Sequence, residues 1–255
     1  MAEGLSKIKI WENEYLVSFY EVDMKSKIFL PSLWKFMQET AWNHANRIGI
    51  GYSDLARNNH IWVLSRLCIK MDEYPRWGDK IRVQTWLLGS SRLLALRDLS
   101  VTHEDGRIIG GAKSAWLVLD LKSRKPQRVE PLLEGIDPFP DRHGVEATLE
   151  KIPAPKDSEA KAIFRVHYSD LDMNQHVNNA KYIEWILDSY PLEMNQTHNV
   201  TTFEINFLAE TNYGEELCIH SEPQKDSAPS FLHHIIRKED GRELCRARVR
   251  WKRAE

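Results

Sequence analysis

The sequence predicts two tandem copies of one α+β unit, and three matches between its halves predict it. Residues 105–116 read DGRIIGGAKSAW and residues 240–251 read DGRELCRARVRW, with Asp, Gly, Arg, Ala and Trp at the same offsets. Trp77-Gly78-Asp79-Lys80-Ile81 resembles Tyr213-Gly214-Glu215-Glu216-Leu217, and the run from Val17 to Met24 resembles the run from Val166 to Met173. The three matches keep their order, which is the mark of a duplicated unit.

Each half reads as a strand ending in an acidic turn, one helix, then several antiparallel strands. In the first half Pro31 and Gly49 bracket a helix with Leu33, Met37, Ala41 and Ile48 near helical period. Proline at the start and glycine past the end are the expected punctuation. The strand-like runs IWVLSRLCIKM, DKIRVQTWLL and AKSAWLVLDL follow. In the second half NNAKYIEWILDSYP predicts a shorter helix, with Tyr182, Trp185, Ile186 and Ser189 on related faces and Pro191 as its stop. After it come VTTFEINFLA, EELCIHSE, FLHHIIRK and LCRARVRWK. Asp105-Gly106 and Asp240-Gly241 are hairpin turns, because glycine takes positive φ at little cost. Residues 125–160 hold six of the eleven prolines. They read as a linker, so the expected organisation is a domain over 1–128, a linker over 129–158 and a domain over 159–255.

Composition excludes several classes. A hydrophobic fraction of 42% with nine Trp supports a substantial core. A net charge of -2 argues against a generally basic nucleic-acid binder. Cys68, Cys218 and Cys245 have no framework spacing, which predicts reduced thiols rather than disulfides or a zinc site. His233 and His234 are neighbours on a predicted strand and so face opposite ways, which suits no metal. No apolar run approaches the roughly 20 residues that span a bilayer. The first 17 residues lack an apolar signal core. The expectation is a soluble, cytoplasmic protein without metal or organic cofactor, working as a monomer or homodimer.

Residues 170–179, DLDMNQHVNN, concentrate polar groups before the second helix. Asp172, Asn174 and His176 are two apart, so an extended segment projects them to one side. The segment runs into a helix N-terminus, where unpaired N–H groups favour negative charge. Asn178 and Asn179 read as capping residues. Aligning Asp23 with Asp172 sets Lys25 against Asn174 and Lys27 against His176, so the first half keeps the acid and loses the amide and imidazole.

The stretch HYSDLDMNQHVNNAKYIEWILDSYP, with TTFEINFLAET ending one residue past Glu210, resembles the signature of acyl-acyl carrier protein (acyl-ACP) thioesterases. The resemblance covers nearly the whole chain. It implies a double hotdog fold, each hotdog a long helix against a curled antiparallel sheet. It implies hydrolysis of fatty acyl-ACP to free fatty acid, with acyl carrier protein as partner and catalytic positions at Asp172, Asn174, His176 and Glu210. Thioester hydrolysis needs an activated water and a donor for the developing oxyanion. Glu210, expected on the next strand with burial raising its pKa, would activate water together with His176, and the two could exchange roles. Asn174 would position the water or the carbonyl, and Asp172 would fix the loop or His176.

One reading of the family uses a Cys directly after the glutamate. Thr211 stands there, which favours water attack. The resemblance also gives the first half the acyl pocket, with Trp34, Met37 and Trp62 as candidate walls. On the last strand Arg246, Arg248 and Arg250 form a basic stripe. It could dock the acidic carrier protein or be an ordinary solvated face. The competing functions are an acyl-CoA thioesterase of the same fold and a non-catalytic acyl-thioester sensor.

Overall fold

The computed structural model describes residues 8–156 and 158–254; residues 1–7 of the N-terminal stretch read above lie outside them. Two compact units divide the chain. One takes the residues up to Phe29 and Leu33–Leu149, the other Leu30–Ser32 with Glu150–Glu255.

The first unit contains β1 (Ile10–Leu16), α1 (Leu30–Arg47) except its first three residues, a short α2 (Tyr52–Ala56), β2 (His60–Met71), β3 (Lys80–Ser91), β4 (Leu94–His103), β5 (Ile108–Asp120) and β6 (Pro126–Gln127). The strands pair antiparallel in the order β1-β3-β4-β5-β2, with β6 added to β5. Leu30, Leu33, Trp34, Met37 and Ala41 recur at three and four residues and bury one face of α1. Gly49, at φ +79°, stands two residues past the helix end. The hairpins fall where expected, with Gly106 at φ +88° and Gly241 at +68°.

β4 was not among the strands read from the sequence, because Arg97 and Asp98 sit in its middle and both are buried. Their side chains leave on opposite faces. Arg97 Nη1 donates to Thr85 Oγ1 at 3.1 Å and to His44 Nδ1 at 2.9 Å. His44 Nε2–H donates in turn to the Ile8 carbonyl at 3.0 Å. Burial, then the Arg97 charge, pushes His44 down to about 4, so the imidazole is neutral and this tautomer fits.

Asp98 faces the segment that follows β6. That segment crosses the sheet strand by strand. Phe139 N–H donates to Leu87 O at 2.8 Å, and Trp86 Nε1 donates to Arg142 O at 2.8 Å. Gly144 N–H donates to Asp98 Oδ2 at 3.2 Å. Lys113 donates to Ala147 O at 3.0 Å, Lys70 to Glu146 O, and Arg66 to Leu149 O at 2.5 Å. Earlier in the segment, Val129 joins a cluster of Ile48, Ile50, Leu55, Leu87 and Val118.

Burial pushes the Asp98 carboxyl from 3.8 up to about 6, against the pull of Lys113, Gly144 N–H and His143. A carboxyl raised in the folded state binds its proton more tightly there, so its contribution to stability falls as pH rises between about 4 and 6. Asp98→Asn is expected to remove that fall. Urea unfolding of both proteins from pH 4 to 7 measures it, and parallel stability–pH curves would refute the assignment.

The second unit repeats the plan with β7 (Glu159–Arg165), α3 (Asn179–Asp188), α4 (Leu192–Thr197), β8 (His198–Phe207), β9 (Glu216–Pro223), β10 (Ser230–Arg237) and β11 (Glu243–Arg253). Its antiparallel order is β8-β11-β10-β9-β7, which is the first unit's order element for element. Ala180, Tyr182, Ile183, Trp185 and Ile186 bury α3. On β11 Cys245, Ala247, Val249 and Trp251 face inward, and the arginines alternate outward.

Candidate active site

The polar decapeptide folds as a tight loop between a 3-10 turn, Tyr168–Asp170, and the start of α3. An isolated antiparallel bridge between Leu171 and Val177 closes it. Within it Asp172 N–H donates to His176 O at 2.8 Å, and Gln175 N–H donates to Asp172 O at 3.0 Å. Asp172 Oδ1 accepts the backbone N–H of Asn174 at 2.8 Å and of His176 at 3.4 Å. The Asp172 carboxylate therefore holds the loop by its own backbone, as short acidic side chains do in turns. Gln175 takes φ +65°, a left-handed conformation that costs a non-glycine residue about 1 kcal/mol or more. Asn178 caps α3, its side chain accepting from Ala180 N–H at 2.9 Å.

His176 Nε2 lies 3.6 Å from Glu210 Oε2, with the side chains 30% and 37% exposed. This is an ion-pair distance slightly longer than a hydrogen bond, and unliganded sites often tighten on binding substrate. Two expectations for Glu210 are corrected. It is not on a strand: β8 ends at Phe207, because Leu208 and Ala209 both turn their N–H groups to Leu244 O, at 2.8 and 3.2 Å, and the ladder stops. Nor is it deeply buried, since a side chain on such a connecting segment keeps a solvent-facing side.

The segment is nonetheless held. Arg237 Nη2 donates to Glu210 O at 3.0 Å, and Arg237 is itself ion-paired with Glu215 and Asp240, each at 3.0 Å. Thr211 O accepts Val177 N–H at 3.1 Å, and Thr211 Oγ1 accepts from Tyr182 OH on α3 at 2.7 Å. The Thr211 side chain, 1% exposed, is thus turned into the core against α3.

The first unit carries the same loop. Asp23 Oδ1 accepts the N–H groups of Lys25 and Lys27 at 2.8 and 3.0 Å, Val22 bridges Ile28, and Ser26 takes φ +58°. Asp72 and Glu73 share Ile109 O as Leu208 and Ala209 share Leu244 O, and Ile28 N–H bonds Pro75 O as Val177 N–H bonds Thr211 O. These equivalences set Tyr74 opposite Glu210. Both aspartates survive, whereas Asn174, His176 and Glu210 face Lys25, Lys27 and Tyr74.

The other candidates sit on other elements, α1, β2 and β11. Trp34 and Met37 are buried on α1 in the first unit. Trp62 packs against the Ile48–Val129 cluster, and its indole donates to Ile50 O at 2.8 Å. Arg246 is paired with Glu243 through two bonds of 2.8 and 2.6 Å, while Arg248 and Arg250 share Glu204 at 3.4 and 3.0 Å. Among the described residues, no three His, Cys, Asp or Glu side chains are grouped to hold a metal ion. Sequence reasoning gave Tyr182 only a place on a helix face and passed over Arg237 and Tyr74, since none has an unusual neighbour in the chain.

Comparison with known proteins gives two family matches, the acyl-ACP thioesterase N-terminal domain over residues 9–135 and the acyl-ACP thioesterase C-terminal domain over 153–253. A palmitoyl-acyl carrier protein thioesterase of Gossypium hirsutum, named as chloroplastic, is 30% identical over 273 residues, covering 98% of this chain. The chain spans 66% of that relative's length. An acyl-ACP thioesterase structure from Bacteroides thetaiotaomicron superposes with a TM-score of 0.86 at 30% identity, covering 97% of this chain and 99% of that one. A Mycobacterium tuberculosis protein with a double hotdog fold superposes with a TM-score of 0.64 over 99% and 98% of the two chains. At 11% identity it shares the fold alone. The two repeated units are thus the two halves of a double hotdog.

Proposed function

The chain belongs to the acyl-ACP thioesterase family, and from that membership we propose that it hydrolyses fatty acyl-ACP with a water molecule activated by Glu210 and His176. The observation that carries the reading is their pairing at 3.6 Å on loops whose first-unit counterparts bear Lys27 and Tyr74. Glu210 takes a proton from water, and the hydroxide adds to the thioester carbonyl. The carbon–sulfur bond then breaks, and the proton taken by Glu210 passes by way of His176 to the departing thiolate, which leaves as the thiol. The Asn174 carboxamide, which bonds no other described residue, orients the water or the carbonyl oxygen. Asp172 is given the loop-fixing role, because Asp23 does the same work where no chemistry remains. A Cys nucleophile is disfavoured, as the residue after Glu210 is Thr211, whose hydroxyl is engaged by Tyr182.

The test is free fatty acid release from a ladder of acyl-ACP substrates beside matched acyl-CoA. Chain-dependent release with preference for carrier protein supports the reading. Preference for CoA would move the substrate class, and binding without release would make the protein a sensor.

Trp34, Met37 and Trp62 remain the proposed acyl walls. Carrier-protein docking on the Arg246–Arg250 face belongs to the same proposal. It is supported by the sign of charge and weakened by Glu204 and Glu243. Arg250, 40% exposed, is the most open of the three. Arg250→Ala is expected to raise KM for acyl-ACP by about 3- to 10-fold while sparing a short acyl-CoA. Equal changes for both substrates would remove the docking idea.

A further inference from the structure

The two units share a loop but not the means of holding it, and the difference singles out residues beyond the catalytic group. In the first unit the residue bonded by Ile28 N–H is Pro75, which has no hydroxyl, and Leu33 stands where α3 has Tyr182. There His103 takes the place of Arg237, lying 3.5 Å from Asp79 and 3.7 Å from Asp105. A nitrogen-bearing side chain beside two carboxylates is thus common to both units. Specific to the second unit are three features: the guanidinium that reaches past its carboxylates to Glu210 O, the hydroxyl on Thr211, and the phenol on Tyr182 that meets it.

We propose that Thr211, Tyr182 and Arg237 form a positioning clamp that sets the separation between His176 and Glu210. The inference rests on the His176–Glu210 reading of the site. Each group acts on one side of the gap. Arg237 fixes the backbone of Glu210. Thr211 joins the Glu210 segment to the residue after His176 through Val177 N–H, and joins the same segment to α3 through Tyr182. The segment 208–211 lies outside any strand ladder, so these bonds act beside those of Leu208 and Ala209 to Leu244 O in placing Glu210. A misplacement of about 1 Å at a reacting group can cost on the order of 100-fold in rate.

The test compares Thr211→Val, which keeps the shape and removes the hydroxyl, with Thr211→Ser, which keeps the hydroxyl. Both are measured in the wild type and in a His176→Ala background. Thr211→Val is expected to lower kcat by about 10-fold or more with KM nearly unchanged, and Thr211→Ser to recover most of the loss. In the His176→Ala background Thr211→Val should cost almost nothing further, because the geometry it protects is already gone. Tyr182→Phe should match Thr211→Val. Full additivity in the His176→Ala background, or a loss that appears only as lower thermal stability, overturns the clamp. If His176→Ala itself keeps wild-type activity, it is the catalytic reading that fails, which is a different result.

Discussion

Glu210→Gln is expected to lower kcat for acyl-ACP hydrolysis by about 100-fold or more, and His176→Ala by a comparable factor. The amide keeps the shape and the Arg237 bond to the main chain, but it cannot take a proton from water. Under the proposed mechanism the two groups act on one water, so their losses should not multiply. The double variant should fall near the worse single one, as coupled catalytic groups do. Steady-state rates on one acyl-ACP, with KM determined for each variant, decide the matter. A Glu210→Gln enzyme within a few-fold of wild type would exclude the carboxylate as base. A multiplicative double variant would separate the roles of the two groups.

The second large effect lies away from the chemistry. Gly144→Ala would set a Cβ 2.1 Å from Leu99 O and 2.7 Å from Leu99 C, both main-chain atoms that cannot swing aside. The crossing segment would have to lift, taking its N–H from Asp98, which is 0% exposed and whose Oδ1 already lacks a partner among the described residues. Overpacking costs about 1–3 kcal/mol, and a buried acceptor left unpaired costs a similar amount. A total near 3 kcal/mol would lower Tm by about 6–12 °C in a chain of this size. Thermal unfolding of the variant measures it, and a shift below about 2 °C would mean that the segment yields without resistance. kcat should stay within about twofold of wild type, since the crossing belongs to the first unit and Asp172, Asn174, His176 and Glu210 to the second.

How much of this was legible in the sequence depended on how local each signal was. The Asp-Gly hairpins, the helix from Pro31 to Gly49 and the alternation on β11 are written within a few residues, and they were readable. α2 and α4, of five and six residues, are too short to show a period. β4 was obscured because Arg97 and Asp98 break its apolar pattern, and their partners, His44 and Gly144, lie 53 and 46 residues away. The crossing segment offered only its prolines. The bond from Arg66 that anchors its end spans 83 positions. At the site the spacing of Asp172, Asn174 and His176 was visible, and likeness to a family supplied Glu210. The place of Glu210 off the strand was not visible, because the paired N–H groups that end β8 belong to an irregularity no residue type announces. Tyr182 and Arg237 looked like any core tyrosine and any strand arginine.

The duplicated loop has one more consequence, for building rather than reading. In the first unit the turn, the left-handed Ser26 and the acidic anchor Asp23 are already in place, with Lys25, Lys27 and Tyr74 at the positions that match Asn174, His176 and Glu210. It is an unfurnished copy of the reactive loop, carried in the same polypeptide. Lys25→Asn, Lys27→His and Tyr74→Glu would set the missing groups at the matching positions of that loop. Pro75→Thr with Leu33→Tyr would add their fastening. An engineer seeking a second reactive centre here would start from a vacancy the chain has kept since its halves diverged.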